Sequence, residues 1–197
     1  MFQVRIHGRG GQGVVTAAEL LAQAAFAEGE FAQAFPSFGS ERTGAPVVAF
    51  ARISDKPIRV REPIMIPDAL IVQDETLLLA IDVFSGLSAD GYVIINSTKS
   101  FEELGIGEYA HSRTHFITVP ATQLAMEHLG RPVPNAVLLG AFAALTEVVS
   151  LKSVNDAIAE RFNAKLAAGN SAAASAAFDY VKERLAGVTE KSHAQTS

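Results

Sequence analysis

The chain has 197 residues, 49% of them hydrophobic and 19% charged, with a formal net charge of −5 and no cysteine. The length fits one domain that buries about 70% of its unfolded surface, taken here as residues 1–186, with 187–197 expected to be a disordered tail. The acidic balance excludes a nonspecific nucleic-acid binder, and the missing cysteines exclude disulfides, thiolate nucleophiles, cysteine zinc sites and thiolate-held iron–sulfur clusters.

No apolar run reaches the roughly 18 residues of a membrane span, and no basic segment with an apolar stretch opens the chain. A cytoplasmic protein with no membrane partner is expected. Phe2 to His7 reads as a strand with Val4 and Ile6 on one face. It runs directly into Gly8-Arg9-Gly10-Gly11-Gln12-Gly13, and a helix from Val14 to Glu28 follows. Glycines admit positive φ and close backbone approach, while the first N–H groups of a helix lack internal partners and carry partial positive charge. Strand, glycine loop and helix therefore suit a polyanionic ligand, although the same turn also serves to pack a helix on a sheet. On the helix, Thr16, Glu19 and Gln23 form one narrow polar stripe, which predicts cover on more than one side.

Phe31 to Phe35 is predicted as a second strand, and Pro36 to Pro46 as a polar loop. Val47 to Ile53 and Ile58 to Arg61 read as a hairpin turning at Ser54-Asp55-Lys56-Pro57. Parallel βαβ units resume with a strand at Ala69 to Gln73, a helix at Thr76 to Phe84, and strands at Tyr92 to Asn96 and His115 to Val119. Helices follow at Ala121 to Leu129, Ala136 to Ser150, Val154 to Phe162 with Ser153 as its cap, and Asn170 to Leu185. Ala136 to Leu145 carries no charge, as a core helix or one side of a subunit interface would. The expected fold class is α/β: a Rossmann-like three-layer domain with a mixed, mostly parallel sheet containing one β-hairpin, and a helical C-terminal third.

A dinucleotide enzyme of this class places an acidic residue at the end of the second strand to hold a ribose. Here that strand ends Gln33-Ala34-Phe35-Pro36, and no Lys-Ser or Lys-Thr follows the last glycine as a P-loop requires. The second loop collects Ser37, Ser40, Arg42 and Thr43 around Phe38, groups that recognise phosphate or carboxylate and that also occur on ordinary solvated loops. In a doubly wound sheet both loops open at the carboxyl ends of strands, where ligands bind. The five histidines are scattered, which predicts no metal site; Asp74-Glu75 reads as a helix cap, and no G-x-S-x-G elbow is present. The chain lacks catalytic machinery of its own.

The strings HGRGGQGVVTAAELL, FPSFGSERTGAPVVAFARI, IMIPDALIVQDETLL, NAVLLGAFAAL and AIAERF, in this order, resemble the gamma subunit of 2-oxoacid:acceptor oxidoreductases, the pyruvate:ferredoxin oxidoreductase group. The resemblance runs from Met1 to about Arg184. It implies a complex that decarboxylates a 2-oxoacid on thiamine diphosphate, passes electrons through [4Fe-4S] clusters and transfers the acyl group to coenzyme A. Thiamine diphosphate, Mg and the clusters would sit on partner alpha, beta and ferredoxin-like delta subunits, with ferredoxin or another acceptor taking the electrons. This chain would contribute assembly and part of the coenzyme A site, with Gly8, Arg9, Gly10, Gly11, Gln12, Gly13, Ser37, Phe38 and Arg42 as candidate contacts and no catalytic residue. The string Gly39 to Val47 leans towards pyruvate-type gamma chains, although Ser40 and Thr43 depart from that pattern. An arylglyoxylate, a branched 2-oxoacid, or 2-oxoglutarate with NAD as final acceptor are the alternatives within the class. Outside it stand a free-standing nucleotide-binding Rossmann-like protein and a pure assembly scaffold.

Overall fold

The computed structural model describes residues 1–37, 43–113 and 115–194. Strand β1 (Phe2–Arg9) turns Val4 and Ile6 to one face and Arg5 and His7 to the other, and all four are buried. A strand buried on both faces needs two covering layers. After it come α1 (Val14–Ala27), β2 (Phe31–Pro36), β3 (Pro46–Ser54), β4 (Ala69–Val72), α2 (Leu77–Ala80), β5 (Tyr92–Asn96), α3 (Gly107–His111) and β6 (Phe116–Val119). Four helices complete the chain: α4 (Ala121–Leu129), α5 (Asn135–Thr146), α6 (Leu151–Arg161) and α7 (Ala164–Ala194).

Among the described residues the sheet has six strands in the order β2-β3-β1-β4-β5-β6. Strands β1, β4, β5 and β6 are parallel neighbours, whereas β3 pairs antiparallel with both β1 and β2. Only β3 runs against the rest, so the carboxyl ends of five strands and the amino end of β3 share one edge of the sheet. The chain leaves β1 towards β2 on one side and returns to β4 on the other, which opens a crevice at the β1/β4 boundary.

Alternation along β4 and β5 divides the core in two. Ala69, Ile71 and Ile94 join the larger cluster under α1, α4, α5, α6 and α7, while Leu70, Val72, Val93 and Ile95 join a smaller one with Leu77, Val83 and Leu104. Helix α5 is buried at every residue from Asn135 to Leu145. Its uncharged sequence therefore marks a core helix. Helix α1 packs on β2 and β3 and is also covered by α6, where Arg161 reaches Glu19 at 3.4 Å and Gln23 meets Glu160. The polar stripe meets α6, and both flanks of the helix are covered.

Several local expectations are corrected. Residues 58–61 form no strand: β3 already has β2 on one edge and β1 on the other, so the hairpin is β2–β3 and no free edge is left for a third segment. The segment is instead strapped across the sheet by Arg52, which donates to the carbonyls of Val60 and Glu62, and by Arg5, which donates to that of Ile64. The helix expected to Phe84 stops at Ala80, because Arg5 also takes the carbonyls of Val83 at 2.9 Å and Ser85 at 2.6 Å. Helix α5 ends at Thr146, and α6 starts at Leu151 with Ser150, not Ser153, accepting the capping bond from Ser153 N at 3.1 Å. Helix α7 begins at Ala164, where Asn163 Oδ1 accepts from Leu166 N at 3.0 Å. It is helical through Ala194, and residues 195–197 lie outside the described residues.

Candidate functional site

The glycine loop is sewn to the second loop through the backbone. Gly10 N donates to Ala45 O at 2.9 Å, Gly44 N donates to Gly10 O at 3.1 Å, and Gly10 and Thr43 form an isolated parallel bridge. The two loops predicted to open at the same end of the sheet do meet there. Phe38 and Arg42 lie outside the described residues. Ser37 is placed at the end of β2, its N–H donating to Val48 O at 2.8 Å, so β3 separates it from the glycine loop.

Two glycines are required by contact. A Cβ on Gly8 would lie 2.5 Å from Val14 Cγ2, and one on Gly13 would lie 2.4 Å from Asn135 Nδ2. Gly13 is also the N-cap of α1, at φ 71° and ψ 35°, and has no side chain to satisfy the helix terminus. The first intrahelical bond runs from Ala17 N to Gly13 O at 3.0 Å. The amides of Val14, Val15 and Thr16 thus have no partner within the helix. These residues, with Arg9, Gly10, Gly11, Gly13 and Val47, line an open cavity of about 350 Å³. Among the described residues that line it, Arg9 is the one charged residue. Uncapped amides, the positive end of the helix dipole and a guanidinium all favour an anion.

Arg9 is held from three directions. Its Nε and Nη2 donate to Thr76 Oγ1 at 3.1 and 2.8 Å, its Nη1 donates to Gly44 O at 3.0 Å, and Asp74 Oδ2 stands 3.4 Å from Nε. Gln12 braces the same corner: its Oε1 accepts from Arg9 N at 2.7 Å and its Nε2 donates to Asp74 Oδ2 at 2.8 Å. The structure therefore places Gln12 in the bracing of its own loop. Burial pushes the Asp74 carboxyl up, but bonds from Thr76 and Gln12 and the charge of Arg9 outweigh it and hold the group below its ordinary value. Asp74 does support the turn into α2, accepting from Thr76 N at 3.0 Å, but it also ties three loops together. Its position just past the strand beside β1 was the available signal for that second role.

On the other side of Gln12 a second cavity, of about 410 Å³, opens beyond the ends of β4 and β5 against the starts of α4 and α5. Its floor includes Gln73 and Asn96, and its rim Glu75, which pairs with Ser97 and Lys99. Sequence reasoning singled out none of these as ligand contacts. Among the described residues no three His, Asp or Glu side chains come together as a metal site, and no helix is long and apolar enough to cross a membrane.

Fold and site together define an α/β protein with an uncapped helix N-terminus opening on a cavity at the carboxyl edge of a mostly parallel sheet. The chain belongs to the pyruvate ferredoxin/flavodoxin oxidoreductase family, matched over residues 3–180. It is 48% identical over 182 residues to the pyruvate synthase subunit PorC of Methanothermobacter marburgensis, covering 92% of this chain and 98% of the relative. It is also 48% identical over 179 residues to the pyruvate/ketoisovalerate oxidoreductases common subunit gamma of Pyrococcus abyssi, covering 91% and 96%. The crystal structure of the Thermotoga maritima pyruvate oxidoreductase subunit PORC superimposes with a TM-score of 0.76 at 36% identity, over 90% of this chain and 95% of that one. The gamma-subunit resemblance carried by the sequence strings is thus the one that whole-chain similarity returns.

Proposed function

We propose that this chain is the gamma subunit of a thiamine diphosphate-dependent, coenzyme A-acylating 2-oxoacid oxidoreductase of the pyruvate type, and that it lends the α1 terminus to the coenzyme A site. The observation that carries this reading is the uncapped first turn of α1, opening on a cavity beside Arg9 that no carboxylate lines among the described residues. A diphosphate or a 3′-phosphate fits that donor set, each helix-terminus interaction contributing about 0.3–1 kcal/mol. This chain's part is to bind and orient the acyl acceptor. Arg9, which lines the cavity, is held in place by Thr76, Gly44 and Asp74.

The remaining chemistry belongs to partners. A chain without cysteine supplies no thiolate for [4Fe-4S] clusters, and thiamine diphosphate and Mg are assigned with them to alpha, beta and ferredoxin-like delta subunits. The printed name of the Pyrococcus abyssi relative, common to pyruvate and ketoisovalerate oxidoreductases, supports selection of the 2-oxoacid by subunits other than gamma. Ser37, Phe38 and Arg42 remain proposed contacts from the second loop. The test uses the assembled complex. Gly11→Asp places a carboxylate in the cradle at a residue with φ 94°, and it is expected to raise the KM for coenzyme A severalfold while leaving subunit stoichiometry intact. An unchanged KM in a correctly assembled complex overturns the assignment.

A further inference from the structure

The two faces of the sheet are covered unequally. Helices α1, α4, α5, α6 and α7 pack on one face, whereas the other carries the short helices α2 and α3 and the 58–66 strap. Four large apolar side chains stand exposed on this second face: Val60, Met65 and Ile66 on the strap, and Leu79 on α2, which is 89% exposed. The strap crosses the sheet towards β4. Arg52 of β3 holds the carbonyls of Val60 and Glu62, Arg5 of β1 holds that of Ile64, and Met65 O comes so near Gly86 that a Cβ there would lie 1.9 Å from it. Beyond Gly86, Leu78, Phe84, Ile106 and Tyr109 line an open groove of about 740 Å³, with the Phe84 ring 5.8 Å from that of Phe116 on β6.

Opposite charges lie at the two ends of this face. On the strap, Lys56, Arg59 and Arg61 are exposed, and no side chain of the three is hydrogen-bonded or ion-paired among the described residues. The acids beside them are occupied within the chain, Glu62 facing the Arg52 charge and Asp55 accepting from Ser54 Oγ at 3.5 Å. The groove carries Asp82 and Glu108, both exposed and neither hydrogen-bonded nor ion-paired through its side chain among the described residues; Asp82 meets the buried Arg5 at longer range. Arg113 stacks 4.4 Å over Tyr109, but its Nη1 is bound to the carbonyls of Ser88 and Ala89. A cationic end, an apolar centre and an anionic end become complementary to themselves under a two-fold rotation: the strap of one copy meets the groove of the other, and the reverse contact forms at the same time. The chain thus supplies both halves of the contact, which favours a second copy over a partner of one sign. We propose that this face is a two-fold interface between two copies of this chain, with Arg59 and Arg61 set against the acidic groove of the other copy across a centre of Met65, Ile66 and Leu79. The interface is separate from the coenzyme A reading, since none of these residues lines the α1 cavity.

Sedimentation of the full-length chain is expected to show a dimer that dissociates on dilution and on addition of salt, since the charged ends are exposed and screened. Arg59→Glu with Arg61→Glu, and separately Asp82→Lys with Glu108→Lys, set like charges against each other at both ends of the contact. Each double variant is expected to weaken self-association about tenfold or more. All four side chains are exposed, so neither pair disturbs the core. Mixed in equal amounts, the two variants restore opposite charges at both ends, and a heterodimer is expected to form with the affinity of the unsubstituted chain. Met65→Asp, which alters the apolar centre and none of the four charges, is expected to weaken the dimer as well. A monomeric unsubstituted chain, double variants or a Met65→Asp variant that dimerise undiminished, or a mixture that stays monomeric would overturn the proposal.

Discussion

Two buried basic side chains set the chemistry beneath the glycine loop. Arg5 Nε donates to His7 Nε2 at 3.0 Å, which makes that nitrogen the acceptor and requires the neutral imidazole. Burial, reinforced by the Arg5 charge, pushes His7 down to about 3. The unfolded chain takes up a proton near the ordinary value of 6.5 and the folded chain does not, so stability falls as pH drops from about 6.5 towards 3. One proton sets the limit at about 1.4 kcal/mol per pH unit. His7→Gln keeps an acceptor for Arg5 and is expected to flatten that part of the pH profile of urea unfolding; an identical slope would show that His7 is not its source. At the same scale, Gln12 was legible in the sequence as part of a glycine loop, but its partner Asp74 was not. The two lie 62 residues apart, and no local pattern encodes a bond across parallel strands.

Helix α5 shows how an element is fixed by the space left for it. Gly140 faces α7 so closely that a Cβ would lie 1.9 Å from Ala174 O. Gly140→Ala is therefore expected to cost about 1–3 kcal/mol by overpacking, read as a lower denaturation midpoint with an unchanged slope. A neutral effect would mean that the two helices separate freely. The lengths of α5 and α6 were misjudged from sequence because an apolar run does not mark its own end. Glu147, at φ 55°, closes α5, and Ser150 starts α6 with Glu28 accepting from its N–H at 2.7 Å. That acceptor comes from the far end of α1. The strand expected at 58–61 failed for a related reason: alternation is a local signal, whereas a free sheet edge is a property of the whole fold.

Across the whole molecule, burial is deepest where α5 lies between the sheet and α7. Amides of residues 137–144 are expected to exchange hydrogen only through global unfolding, with protection matching the stability from denaturant titration. Faster exchange there would place α5 in a separately opening unit. The residue strings alone determined the α/β class, the glycine loop feeding α1, the charge-free run of α5, the absence of thiolate chemistry and the family, because period, composition and contiguous motifs are local properties. Only the tertiary structure decided that Thr43 to Ala45 line up on the glycine loop, that Asp74 and Thr76 hold Arg9, that 58–66 is a strap pinned by two arginines, and that α5 is a core helix and not an interface. Each of these depends on which strands become neighbours. Strand order brings distant segments to one sheet edge through packing and hydrogen bonding over the whole chain, and no single stretch of sequence carries that information.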